Sequence, residues 1–179
     1  MSRATQISTS GPIDYATVDD FRRIFSENMN DLFLLALLLT ADGGKAEQCF
    51  VGGIGDSVKG NRVFREWAYS WARRNVIQHA IRMIEPTRER VTVADTPQVG
   101  LEIEPRLRAV LKLDPMERFV FVMLVLEGYS YQHCSLLLGC SRQAVANAGA
   151  RALEHLSNAS EIGAMHGERL QGDYTSVSH

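Results

Sequence analysis

Along most of this chain apolar side chains return three and four positions apart, the spacing of a helix with one buried face, so an all-α fold is expected. Thr17 with Asp20 reads as a helix start. Phe21, Ile24, Phe25, Met29, Leu32, Phe33, Ala36 and Leu37 then keep helical register to about Thr40, with a break near Asn28. Leu32 to Leu39 is a run of eight apolar residues. A membrane span needs roughly twenty, so the run predicts a buried helix and no membrane insertion. Ala41-Asp42-Gly43-Gly44 reads as a turn, and a short helix from Lys45 to about Ile54 follows. Gly52 and Gly53 weaken it, each costing about 1 kcal/mol against alanine inside a helix. A loop through Gly60 and a long helix from about Asn61 to Ile84 complete a first unit.

That long helix has two faces. Phe64, Trp67, Ala68, Trp71 and Asn75 line one, with the tryptophans assigned to the core; Arg62, Glu66, Tyr69 and Arg73 line the other, with Arg74 and Arg82 nearby. Tyr69 and its arginines read equally as a face for unpaired bases and phosphate or as an ordinary solvated face.

Periodicity then fails. Pro86, Pro97 and Pro105 bracket a mixed stretch, and residues 86–104 read as a linker between two small helical domains, 15–85 and 105–160. Residues 1–14 read as a loose N-terminus and 161–179 as a flexible tail.

The second domain is expected to hold four helices, the first over Arg106 to Lys112. Asp114 suits an N-cap, Pro115 a first helical position, and Glu117 the closing position of a capping box, with the helix ending at Gly128. Ser130 opens the next helix, Gly139 closes it at Leu138, and Ser141 caps a last helix from Arg142 to about Leu156. Two helices joined by so short a turn make a helix-turn-helix, which projects the second helix toward a major groove. Val145, Ala152, Leu153 and Leu156 form its inward stripe, which turns Arg142, Gln143, Ala146, Asn147 and Arg151 outward. Arg142 suits guanine, Gln143 or Asn147 adenine, and Ser141 or Arg151 phosphate. Such units also serve as packing modules, the competing reading.

Composition narrows the choice. The chain has 179 residues, 45% hydrophobic and 22% charged, a net charge of −2 and a pI near 6.2. That excludes a disordered tail and a strongly basic nonspecific DNA binder. Cys49, Cys134 and Cys140 are an odd set without metal-ligand spacing, which suits packing residues in a cytoplasmic protein with no metal and no cofactor. The glycines from Gly52 to Gly60 match neither nucleotide-binding fingerprint, and no nucleophile and base are paired, so an enzyme is not expected.

Leu113-Asp114-Pro115, Glu117-Arg118, Phe121, Glu127-Gly128-Tyr129-Ser130, Leu138-Gly139, Ser141, Ala144-Val145 and Arg151-Ala152-Leu153 resemble the promoter-reading second domain of small two-domain bacterial sigma factors, the extracytoplasmic-function class. Ala46-Glu47 resembles the start of that family's polymerase-binding helix, and Ala72-Arg73-Arg74-Asn75 its melting and recognition helix. The resemblance implies a non-catalytic initiation factor. Glu47, Gln48, Phe50 and Val51 would contact core RNA polymerase; Arg62, Tyr69, Arg73, Arg74, Asn75 and Arg82 would hold the melted promoter; Ser141, Arg142, Gln143, Asn147 and Arg151 would read duplex. It also implies nucleoid association when active and an inhibitory anti-sigma protein as a further partner. The chain departs from the pattern at Gln48, Gly52 and Gly53, at His133, and at Ala146, Ala148 and Gly149. Those departures keep an alternative open: a sigma-derived DNA-binding regulator or interaction module that no longer binds polymerase.

Overall fold

The computed structural model describes residues 14–60, 62–88 and 105–171, with side chains in the last stretch from 107 to 159. The described residues form an all-α fold of eight helices: α1 Val18–Glu27, α2 Met29–Thr40, α3 Gly43–Lys59, α4 Ala68–Ile84, α5 Pro105–Leu111, α6 Pro115–Phe121, α7 Tyr131–Leu138 and α8 Arg142–Gln171. The linker expected at 86–104, beyond Arg88, and the N-terminus before Asp14 lie outside the described residues.

Local chemistry sets the first boundaries. Thr17 and Asp20 form the expected capping box: the Asp20 N–H donates to Thr17 Oγ1 at 3.2 Å and the Thr17 N–H to Asp20 Oδ2 at 2.9 Å. These bonds, the Thr17 N–H first, hold the Asp20 carboxyl below its ordinary value, and Arg65 adds to them. The chain breaks at Asn28, whose main-chain and side-chain N–H groups both donate to the Ile24 carbonyl. Helix α2 is buried continuously from Leu35 to Thr40, as its unbroken apolar run demands. Its end differs from expectation. Ala41, not a glycine, takes the left-handed position, and Asp42 caps α3 by accepting from the Lys45 N–H at 2.8 Å.

Helix α3 runs through the glycines to Lys59 instead of ending near Ile54. Propensity is overridden by close packing on α4. A Cβ at Gly52 would overlap the His79 imidazole, and one at Gly53 would lie 2.8 Å from Val76 Cγ2. A buried polar chain fastens the same crossing: Asn75 Nδ2 donates to Ser57 Oγ at 2.9 Å, and Ser57 Oγ donates to the Gly53 carbonyl at 2.7 Å. Helix α4 begins at Ala68 after a tight 3-10 turn, Arg65–Trp67, and an antiparallel bridge between Tyr15 and Phe64. Trp67 therefore sits on the turn and is 57% exposed, against its assignment to the core, while Trp71 is half-buried.

In the second half Asp114 makes no side-chain cap, and the expected capping box with Glu117 is absent. Glu117 is instead buried against α8. One wide π turn, Val122–Leu126, follows α6, and Gly128 at φ 69° ends the segment. Helix α8 continues to Gln171, well past Leu156 and into the expected tail. Its glycines do not stop it, and no proline follows to do so.

The helices before and after the linker share one continuous core, from Phe25 and Leu32 through Val76 and Ile77 to Phe119, Val122 and Val145. Helix α2 packs against both α5 and α6. At that junction Arg118 is buried, and its Nε donates to the Leu39 carbonyl at 3.2 Å and its Nη1 to the Leu113 carbonyl at 2.8 Å. It thus serves the C-terminal ends of α2 and α5 together, where unpaired carbonyls and the helix dipole favour a cation. Burial pushes its pKa down to about 10, so it stays charged at neutral pH.

Candidate nucleic-acid interface

The helix-turn-helix forms with each expected signal in place. Ser130 Oγ accepts from the His133 N–H at 3.2 Å, Gly139 turns the chain at φ 65°, and Ser141 Oγ accepts from the Ala144 N–H at 3.1 Å. Val145, Ala148 and Ala152 are buried, which rotates Ser141, Arg142, Gln143 and Asn147 to the outside at the helix start. Gln143 Nε2 donates to Asn147 Oδ1 at 2.9 Å, so the two amides lie side by side. Leu153, expected to face inward, is 56% exposed. The reason lies in Ala148: the buried face runs through 145, 148 and 152, and 153 falls one step beyond it. Gly149 faces Val120 and Leu124, where an added Cβ would make ordinary contacts at 3.5 and 3.6 Å.

Arg151 is braced from below. Its Nε donates to Glu117 Oε1 at 2.9 Å, and His155 Nδ1 lies 2.9 Å from Glu117 Oε2. Glu117 is the residue that sequence reasoning placed wrongly, since a partner 34 positions away leaves no local trace.

On α4 and in the segment before it the arginines are distributed by partner. Arg74 lies over the Trp71 ring at 5.9 Å and Arg62 over Tyr15 at 5.7 Å. Arg82 pairs with Asp56, which also meets His79 Nδ1 at 3.0 Å. Asn75 is inside, spent on Ser57. Arg73 lies over Tyr69, donates to its hydroxyl at 2.7 Å, and makes a bidentate pair with Glu127, Nε to Oε2 at 2.7 Å and Nη2 to Oε1. The Glu127 bond is the main cause that raises the Arg73 pKa. Tyr129, two residues on, has its hydroxyl pKa raised by burial first and by Glu127 next.

Two clefts flank this contact. One of about 490 Å³ is lined by Arg62, Phe64, Trp67, Trp71, Arg74 and Tyr129; the other, about 320 Å³, by Ser70, Arg73, Glu127, Tyr129 and His133. Aromatic rings beside guanidinium groups can stack bases and neutralise phosphate. On α3, Glu47, Gln48 and Val51 are exposed together, while Phe50 turns inward onto Phe25 and Phe33, with ring centroids 5.4 and 6.4 Å away. Among the described residues no cluster of His, Cys, Asp and Glu could hold a metal ion, and no helix is long and apolar enough to cross a membrane.

Residues 107–156, from α5 into α8, match the family described as Sigma-70, region 4. That stretch is thus similar to sigma-70 region 4. Among solved structures, the sigma factor RpoE in complex with the anti-sigma factor NepR from Bartonella quintana is similar over 80% of this chain and 98% of that one. The identity is 17% and the TM-score 0.45, too loose to place residues. No curated protein matches the chain. Within residues 107–156, the exposed Arg142, Gln143 and Asn147 stand at the N-terminal end of the last helix.

Proposed function

We propose that the chain is a non-catalytic transcription initiation factor of the sigma type, which binds core RNA polymerase and directs it to promoter DNA. The observation that carries the reading is the region 4 unit with Arg142, Gln143 and Asn147 exposed on one face. Arg142 reads guanine, the paired amides of Gln143 and Asn147 read adenine, and Ser141 positions a phosphate. Glu47, Gln48 and Val51 form the polymerase contact. The glycines beside them support this reading, because they serve the packing of α3 on α4 and leave the outer face intact. Trp67, Trp71, Tyr69, Arg62 and Arg74 form the surface for the melted strand. Core polymerase supplies the positive field that a chain of net charge −2 lacks. The setting is the cytoplasm, and an inhibitory protein of the anti-sigma kind is the expected regulator.

The test is co-elution of the purified chain with core polymerase, followed by promoter binding of the complex. Arg142→Ala is expected to leave co-elution intact and to cost about 1–3 kcal/mol in promoter binding. Absence of co-elution, with promoter duplex still bound by the chain alone, would favour a polymerase-independent regulator.

A further inference from the structure

We propose that Cys134 and Cys140 are an oxidation site: hydrogen peroxide closes them into a disulfide across the turn of the helix-turn-helix and so loosens its hold on duplex DNA. The bond is argued from the turn alone, whereas its effect on duplex rests on the reading of Arg142, Gln143 and Asn147 given above.

The way α7 ends brings the two side chains together. The Ser135 carbonyl accepts from the Gly139 N–H and, at 3.1 Å, from the Cys140 N–H, with Gly139 left-handed at φ 65°. Those features define a Schellman helix end, whose second outer residue packs back on the residue that carries the accepting carbonyl or on the one before it. Here the outer residue is Cys140. Ser135 has its hydroxyl on the Gln132 carbonyl at 2.9 Å, which leaves Cys134 as the apolar contact. Cys134 is wholly buried and Cys140 half-buried against the same core. Their thiols also act on each other: burial first, and then the neighbouring Cys140, raises the Cys134 thiol to about 11.

The difference in exposure orders the chemistry. Cys140 meets the oxidant: its thiolate sulfur attacks one peroxide oxygen, an S–O bond forms as the O–O bond breaks, and the leaving hydroxide takes up a proton to become water. The product is a sulfenic acid. Cys134 Sγ then attacks Cys140 Sγ, the S–S bond forms as the S–O bond breaks, and the hydroxyl leaves as water with the Cys134 proton. Two thiols have lost two electrons, and one peroxide has gained them. Burial raises the Cys140 thiol as well, so little thiolate stands at neutral pH and the site answers to sustained oxidant. Thiol exchange reopens it.

The consequence follows from position. Cys140 immediately precedes Ser141, whose hydroxyl caps α8, and Arg142 and Gln143 come next. A disulfide sets its sulfurs about 2.05 Å apart, closer than two thiols in contact can lie. Cys134 is fixed in the core with Leu138 and Val145, so the turn must shift and carry the base-reading side chains with it.

The experiment exposes the full chain to hydrogen peroxide and maps its cysteines by mass spectrometry. Binding is followed by anisotropy on a fluorescent duplex selected from a random pool by the reduced chain in the presence of core polymerase. Cys134 and Cys140 are expected to lose two hydrogens and resist alkylation together, while Cys49, which meets Met83 Sδ at 3.9 Å, stays a thiol. Duplex binding should weaken about tenfold, the worth of one bidentate base contact, and return with dithiothreitol. Cys140→Ser should bind as the reduced parent does and ignore peroxide. Cys134→Ala should stop at a sulfenic acid on Cys140, trapped by dimedone; if that variant does not fold, Cys140→Ser decides. Thiols that persist in the folded chain, a bond from Cys140 to a second chain, or an equal loss of binding in Cys140→Ser would each overturn the proposal, as would a disulfide that leaves duplex affinity unchanged. If no duplex is selected, or Arg142→Ala binds it unchanged, the reading of the recognition helix fails and the effect on duplex falls with it, while the masses still decide the bond.

Discussion

Replacing Arg118 with methionine tests whether one buried guanidinium joins the two halves. The residue is 6% exposed, and its two best bonds run to the Leu113 carbonyl at 2.8 Å and the Leu39 carbonyl at 3.2 Å. The third, to Leu111 at 3.4 Å, is long and is discounted. Methionine keeps the apolar stem and removes every donor, so two buried carbonyls are orphaned at about 1–3 kcal/mol each. Against that loss, burial is what depresses the Arg118 pKa to about 10, and methionine removes the cost of burying a cation. The balance falls in the lower half of the range, about 2–4 kcal/mol, or roughly 4–16 °C in melting temperature for a chain of this size. The assay is urea denaturation followed by far-ultraviolet circular dichroism and tryptophan fluorescence. Both tryptophans lie in the first half, so fluorescence reports that half and dichroism reports both. The unmodified chain should give coincident transitions; Arg118→Met should lower the midpoint and separate the two signals. A loss under about 1 kcal/mol with coincident transitions would refute the account of the junction.

Other outcomes follow from individual side chains. Gly55→Ala, which meets nothing within 4 Å, should stabilise by up to about 1 kcal/mol, whereas Gly53→Ala, pressed against Val76, should destabilise by about 1–3 kcal/mol. Equal effects in thermal melts would show that the glycines do not set the α3–α4 distance. Thr17→Ala should cost about 1 kcal/mol at pH 7. Because the folded pKa of Asp20 is depressed, the stability it contributes is present above the ordinary value of 3.8 and is lost as pH falls through the folded value. The Thr17→Ala penalty should therefore shrink in acid; a constant penalty would remove the carboxylate from the box. Burial raises the thiols of Cys49 and Cys134 to about 11, while Cys140 is partly exposed. Native-state labelling at pH 8 should modify Cys140 first, and equally fast reaction at Cys49 would contradict its burial.

The sequence was most legible where structure depends on near neighbours. The Thr17 box, the break at Asn28, and the signals at Ser130, Gly139 and Ser141 each involve residues no more than about four positions apart, within reach of a sequence rule. It was least legible where a distant residue decides. Gly52 and Gly53 looked like helix weakeners because propensity does not see His79 or Val76 pressing from α4. Glu117 looked like a cap because the pull of Arg151 and His155 comes from α8. The α4 face shows both limits: Tyr69 and Arg73 were picked out by helical spacing, but their tie to Glu127, 54 positions on, was not visible. Trp67 failed for a local reason, since it belongs to the 3-10 turn before α4 and the helical face does not reach it.

Most joints between parts of a protein are agreements between two side chains, and a change on one side can be repaired on the other. The Arg118 joint is written on one side only, because its acceptors are main-chain oxygens that any residue at positions 39 and 113 would supply. Those two positions answer to packing alone, and no charge swap can restore the joint once residue 118 is lost. Paired substitutions across the two halves would never reveal it; its mutational brittleness is concentrated at a single position.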